Sequence, residues 1–138
     1  MNYWLIKSEP ESYSIEDFRK EKIVVWDGVR NYTARNNLRA MQMDDICIFY
    51  RSVKKPAAIA LCRVVREHFQ DPTSDIPAWL SVELELTQIF ENEVSLVEIK
   101  THLELQKMIL LKISRLSVQP VTPEEFEIIT ALGLNGKC

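Results

Sequence analysis

The run VVWDGVRNYTARNNL, Val24 to Leu38, gathers Trp26, Asp27, Arg30, Asn31, Tyr32, Arg35 and Asn36 into one turn-and-helix segment around a lone glycine, Gly28. These are residue types that hold a nucleobase. An indole or phenol face stacks on a planar base, amides and a carboxylate read its hydrogen-bonding edge, and guanidinium groups hold phosphate. Such stacking contributes roughly 1 to 3 kcal/mol per base. Gly28, lacking a side chain, permits backbone angles closed to other residues or the close approach of a ligand. The competing reading makes Trp26 and Tyr32 core aromatics and the arginines a solvated helix face, and from this stretch alone the two stand level.

The elements around this run must position it. Tyr3 to Ile6 reads as a first strand that runs into the polar Lys7, Ser8 and Glu9 before Pro10 stops it. Ser14 caps a short helix with an acidic first turn, anchored by Phe18. Ile23 to Trp26 is strand-like, the DGVRN loop follows, and a helix from Tyr32 to about Met41 turns Ala34, Leu38 and Met41 inward. On it Arg35 and Arg39 lie one turn apart. Ile46 to Tyr50 is a buried strand ending in Arg51 and Ser52, and it forms a hairpin with Ala57 to Val65 across the tip Lys54-Lys55-Pro56. HFQDPTSDIPAW reads as a loop, and Trp79 to Phe90 as a half-buried strand with Val82, Leu84 and Leu86 on one face.

Leu96 to Leu111 predicts one or two short helices with Leu96, Ile99, Leu103, Met108 and Leu111 as core contacts. A strand ends at Pro120. The last helix carries Thr122 as cap, Pro123 at its first position, Glu125 in a capping box and Gly133 at its end. Short strands with helices between and after them do not alternate as βαβ units. The expectation is therefore an α+β fold, a small, mostly antiparallel pseudo-β-barrel with peripheral short helices. In it, a cleft beside the first strand's end sets Lys7 and Ser8 next to Trp26 and Asn31.

At 138 residues and 46% hydrophobic, the chain reads as one domain over residues 1–138, able to bury roughly 70% of its unfolded surface. No run reaches the roughly 18 apolar residues of a membrane span, and the N-terminal residues lack a secretory pattern, which points to the cytoplasm. Cys47, Cys62 and Cys138 are odd in number, the first two serve as small hydrophobes, and with only His68 and His102 beside them neither metal nor cofactor is expected. The net charge of −3 argues against a protein that coats nucleic acid nonspecifically. Yet residues 19–66 carry eleven Lys or Arg against four Asp or Glu, a balance of +7, flanked by −3 over residues 1–18 and −7 over residues 67–138. If that block forms one surface, it suits a module that grips a few phosphates around one nucleotide.

YWLIKSEPESYS, WDGVRNYTARNNLR, FYRS followed by a proline, FQDPT and LLKISRLSVQPVTPEEF, in that order over nearly the whole chain, closely resemble the EVE domain family. The resemblance implies a PUA-like fold, shared with RNA-modification domains and with YTH readers of N6-methyladenine. It also implies a nucleic-acid binder whose proposed ligands include 5-methylcytosine and its oxidised forms, with no common catalytic chemistry. It carries Lys7, Ser8, Trp26, Asn31, Tyr32, Arg35 and Asn36 over to the family's motifs, and Tyr50 and Ser52 to its FYHS motif. Arg51 stands where many relatives have histidine, and a guanidinium cannot serve as a neutral acceptor there. Asp44 replaces a usual glycine, as do Ala57 and Ala60.

The expectation is thus a monomeric, non-enzymatic reader of DNA or RNA carrying a modified base. Its base pocket comprises Lys7, Ser8, Trp26, Asp27, Asn31, Tyr32, Tyr50 and Ser52, and its phosphate contacts Arg30, Arg35, Asn36, Arg39 and Arg51. The alternatives are a protein-interaction domain with a vestigial pocket, or a nucleobase-modifying enzyme with Asp27 or Glu9 as base. The second lacks the H-x-E with P-C-x-x-C zinc pattern and any Gly-rich phosphate loop.

Overall fold

A computed structural model describes residues 1–135. Its strands are β1 (Tyr3–Ser8), β2 (Ile23–Trp26), β3 (Ile46–Arg51), β4 (Ala57–Gln70), β5 (Leu80–Ser95) and β6 (Val118–Val121). Helices α1 (Ile15–Glu21), α2 (Tyr32–Ala40), α3 (Leu96–Thr101), α4 (Ile109–Lys112) and α5 (Pro123–Asn135) connect and cover them. The strands form one sheet in the order β2-β5-β4-β3-β1-β6, antiparallel except where β1 runs parallel to β3. Its end strands do not pair with each other, so the pseudo-barrel is open.

The uniformly apolar run Ile46 to Tyr50 has a simple cause: the sheet has a core on each face. One core joins Trp4, Ile6, Phe49 and Val64 to Phe18 of α1 and to Ala34, Leu38 and Met41 at α2. The other joins Leu5, Ile48, Tyr50 and Phe90 to Ile99, Met108, Leu110 and Ile129. Alternate residues of β1 and β3 thus feed opposite cores. The expected caps form: Ser14 and Asp17 close a capping box on α1, and Thr122 and Glu125 close one on α5.

Several boundaries differ from the sequence reading. β4 runs on to Gln70, and β5 answers it, Phe69 facing Ser81 and Gln70 facing Leu80, so His68 to Gln70 belong to a long irregular ribbon and not to the loop. Leu103 is 84% exposed, because the chain leaves α3 and re-enters as a 3₁₀ turn whose tighter period turns Leu105 inward instead. Asp44, which the family resemblance sets at a usual glycine, adopts φ +70°, a conformation that costs a non-glycine residue roughly 1 kcal/mol. Cys47 and Cys62 are buried as small hydrophobes, while Cys138 lies outside the described residues.

Gly133 does not end α5, which continues to Asn135. Its role is proximity: a Cβ there would run into the Phe90 ring. Gly133→Ala is accordingly expected to destabilise by about 1 to 3 kcal/mol through overpacking, read as a lowered midpoint in urea unfolding. A midpoint raised by the helix propensity of alanine would show that the ring moves aside freely.

Candidate functional site

Four segments meet at one end of the sheet: the end of β1, the turn after it, β2, and the DGVRN loop. Between them lies a cleft of about 650 Å³ lined by, among others, Lys7, Ser8, Tyr13, Trp26, Asp27 and Asn31. The sequence expectation that Lys7 and Ser8 stand beside Trp26 and Asn31 describes this cleft.

The loop that forms its rim is held from outside. Gly28 adopts φ +78° with open space where a Cβ would go, so it is the backbone angle that calls for glycine. Its N–H donates to Asp71 Oδ2 at 2.8 Å. The same carboxylate, with no exposed side-chain surface, accepts from Arg30 Nη1 at 2.9 Å and from the Thr73 N–H and hydroxyl at 2.7 and 2.6 Å. Burial alone would raise the Asp71 pKa. The Thr73 hydroxyl, Arg30 and the two backbone N–H groups outweigh it and hold it down to about 2. Asn31 then starts α2 as its N-cap, its Oδ1 accepting from Ala34 N at 2.9 Å.

Inside the cleft, hydrogen-bonding capacity is partly committed. The Ser8 hydroxyl donates to Tyr13 O, a turn bond at the strand's end. Lys7 Nζ donates once, to Ser114 O, which leaves two of its protons, and burial lowers its pKa. Among the described residues, the Asn31 amide nitrogen and the Asp27 carboxylate have no partner on another residue. Burial, then the charge of Asp71, raise the Asp27 pKa, against its own backbone N–H and Arg30. Trp26 forms an apolar wall, packed edge-on to Phe49 at 6.0 Å and to Tyr13 at 6.1 Å. It is 8% exposed, so it offers the cleft a margin of its ring and no open stacking face.

The remaining candidates lie elsewhere. Tyr50 is on the opposite side of the sheet, in the second core, where burial pushes its phenol up to about 12. Ser52 bonds back to Ser8 O. Arg51 spends its fork on Glu93, at 2.6 and 3.1 Å, and its Nε on Lys55 O. Arg30 is neutralised by Asp71. Tyr32 points away from the cleft and stacks on Trp79 at 5.1 Å, with Arg35 alongside and Asn36 accepting from Arg35 Nε. Arg39 is exposed and has no ion-pair partner among the described residues. Sequence reasoning missed Asp71, Tyr13 and Trp79 as site-forming residues. The FQDPT motif contained the signal for Asp71, since an aspartate two residues before a threonine can close a turn on its N–H and hydroxyl.

A family model described as EVE domain matches residues 2–132. Thymocyte nuclear protein 1 of Mus musculus is 38% identical over an alignment 165 positions long, taking in 95% of this chain and 73% of that protein. Among solved structures, a hypothetical protein from Leishmania major superimposes with a TM-score of 0.91 at 40% identity, over 96% of this chain and 94% of the other. The human THYN1 protein in complex with 5-methylcytosine-containing DNA superimposes with a TM-score of 0.89 at 34% identity, over 96% and 98% of the two chains.

Proposed function

The chain belongs to the EVE domain family, and from that premise we propose that it is a nucleic-acid reader, holding one flipped, modified base in the cleft and doing no chemistry on it. The observation that carries this reading is the set of uncommitted polar groups along the cleft: one acceptor, Asp27, and two donors, Asn31 and Lys7, around the apolar wall of Trp26 and Val24. Cytosine offers the complement on its pairing edge, an amino donor at N4 and acceptors at N3 and O2; a carboxylate accepting from N4 is a known readout of this base. A 5-methyl group would rest on the apolar wall. Burying one extra carbon in such a pocket discriminates by about tenfold at the lower end, and the few kcal/mol spent on flipping must be recovered from the pocket as a whole. The complex of the human relative with 5-methylcytosine-containing DNA supports the choice of ligand class.

Phosphate contacts then fall to Arg35 and Arg39, because Arg30 and Arg51 are held by carboxylates. The test is a titration, at fixed moderate salt, of short labelled DNA and RNA, single- and double-stranded, carrying cytosine, 5-methylcytosine, 5-hydroxymethylcytosine, adenine or N6-methyladenine. A preference of about tenfold for one modified base is expected, falling about tenfold in Asp27→Ala through loss of the edge contact. Equal weak binding to all of them, steeply salt-dependent and unchanged by the substitution, would reduce the cleft to packing and favour an interaction domain.

A further inference from the structure

Outside the cleft, four side chains form a cluster that the pocket does not use: Tyr32, Trp79, Arg30 and Arg35. Tyr32 and Trp79 stack with their rings 28° apart, Arg30 lies 5.5 Å over Trp79, and Arg35 lies 5.1 Å from the Tyr32 ring and 6.0 Å from that of Trp79. The separations between Tyr32, Trp79 and Arg35 make a nearly equilateral triangle. Arg35 lies over both rings and, at those separations, not straight across Tyr32 from Trp79, so it does not cap the face of Tyr32 turned from Trp79. Tyr32 is 65% exposed, which is unusual for an aromatic so firmly backed. Two further bonds fix the stack: Arg35 Nη1 donates to Ala78 O at 3.1 Å and Arg30 Nη2 to Thr73 Oγ1 at 3.1 Å.

We propose that the open face of Tyr32, backed by Trp79 and edged by Arg35, is a stacking platform for the unpaired base next to the captured nucleotide. Asn31, on the rim of the cleft, and Tyr32, the first residue of α2, are adjacent in the chain, so a strand that leaves the cleft over Asn31 can reach the platform just outside it. Arg35, which pairs with no carboxylate among the described residues, suits a phosphodiester there, and the exposed ring suits a base. In a single strand, a base drawn into the cleft leaves its neighbour with one unstacked face, and an exposed phenol held rigid by a second ring replaces the lost partner at little entropic cost. The proposal rests on the reading that the cleft takes a base. It adds a second subsite that distinguishes strands by what flanks the modification.

The experiment is a double comparison in single-stranded DNA nonamers with 5-methylcytosine or cytosine at the centre, each with an intact base or an abasic residue at the preceding or the following position. With the wild-type protein, removing one of the two flanking bases is expected to weaken binding about five-fold or more, the range of one base–aromatic stack. In Tyr32→Ser that effect disappears, because there is nothing left to stack on, while Tyr32→Phe keeps it. The ratio between 5-methylcytosine and cytosine stays unchanged in all three proteins. Tyr32 is exposed, so circular dichroism is expected to report an intact fold. An abasic effect that persists in Tyr32→Ser, or none in the wild type, overturns the platform. An effect abolished by Tyr32→Ser without any preference for the modified base keeps the platform and removes the reader.

Discussion

Asp71→Ala is expected to lower the unfolding free energy by about 3 kcal/mol and to abolish selective binding at the cleft. The carboxylate takes four hydrogen bonds from three residues, and its loss strands the Gly28 N–H and both donors of Thr73. Arg30 contributes less, since its side chain is 42% exposed and can be rehydrated; this keeps the figure below the upper range for breaking a buried pair. The effect on binding follows from position. Gly28 lies between Asp27 and the cap Asn31, so freeing its N–H releases both of the groups assigned to the base edge. The same carboxylate gives a pH signature. Its folded pKa is about 2 against an ordinary 3.8, a depressed acid, so its contribution is fully present above about pH 4 and is lost as the pH falls toward 2. The depression corresponds to roughly 2 kcal/mol. Urea unfolding at pH 7 and at pH 2.5 is expected to show a smaller acid loss in Asp71→Ala than in the wild type, and an equal loss would assign the acid sensitivity to other carboxylates.

Trp26→Ala is expected to cost about 3 to 5 kcal/mol of stability, because an indole 8% exposed is removed from the first core. Binding lost in that variant says little about recognition. Trp26→Phe separates the two effects. It keeps an aromatic ring against Tyr13 and Phe49 and is expected to stay folded with a loss of about 1 to 2 kcal/mol. Its affinity for the modified strand should fall about tenfold as the apolar wall recedes, with that for the unmodified strand nearly unchanged. Parallel calorimetry and anisotropy titrations measure this. Equal affinity losses for both strands would mean that Trp26 shapes the loop and not the base contact.

The order and type of the elements were legible because each carries a local signal: Ser14 and Thr122 as caps, the period of Ala34 and Leu38, the apolar block Ile46 to Tyr50. The cleft was legible where its residues come from strand ends, as with Lys7, Ser8 and Trp26. Tyr50 was misplaced beside Trp26 because one residue of register decides which face a strand residue serves, and Phe49, not Tyr50, points to the Trp26 side. Arg30 and Arg51 look like free cations in sequence, and nothing local reveals that Asp71 and Glu93, each more than forty positions away, claim them. Tyr32 follows Asn31 directly, yet the first turn of α2 carries its ring out to Trp79. Long-range partners, and not propensities, decided these positions.

A reader of this kind distinguishes the modified base at this cleft and at no other surface. Backbone and indole N–H chemical shifts of the isotope-labelled protein, compared between complexes with 5-methylcytosine and cytosine strands of the same sequence, test it most directly. The differences between the two spectra are expected to concentrate at the Trp26 indole, Gly28, Asn31 and Lys7. Differences centred on the opposite face of the sheet, around α3 to α5, with those four signals unmoved, would contradict it.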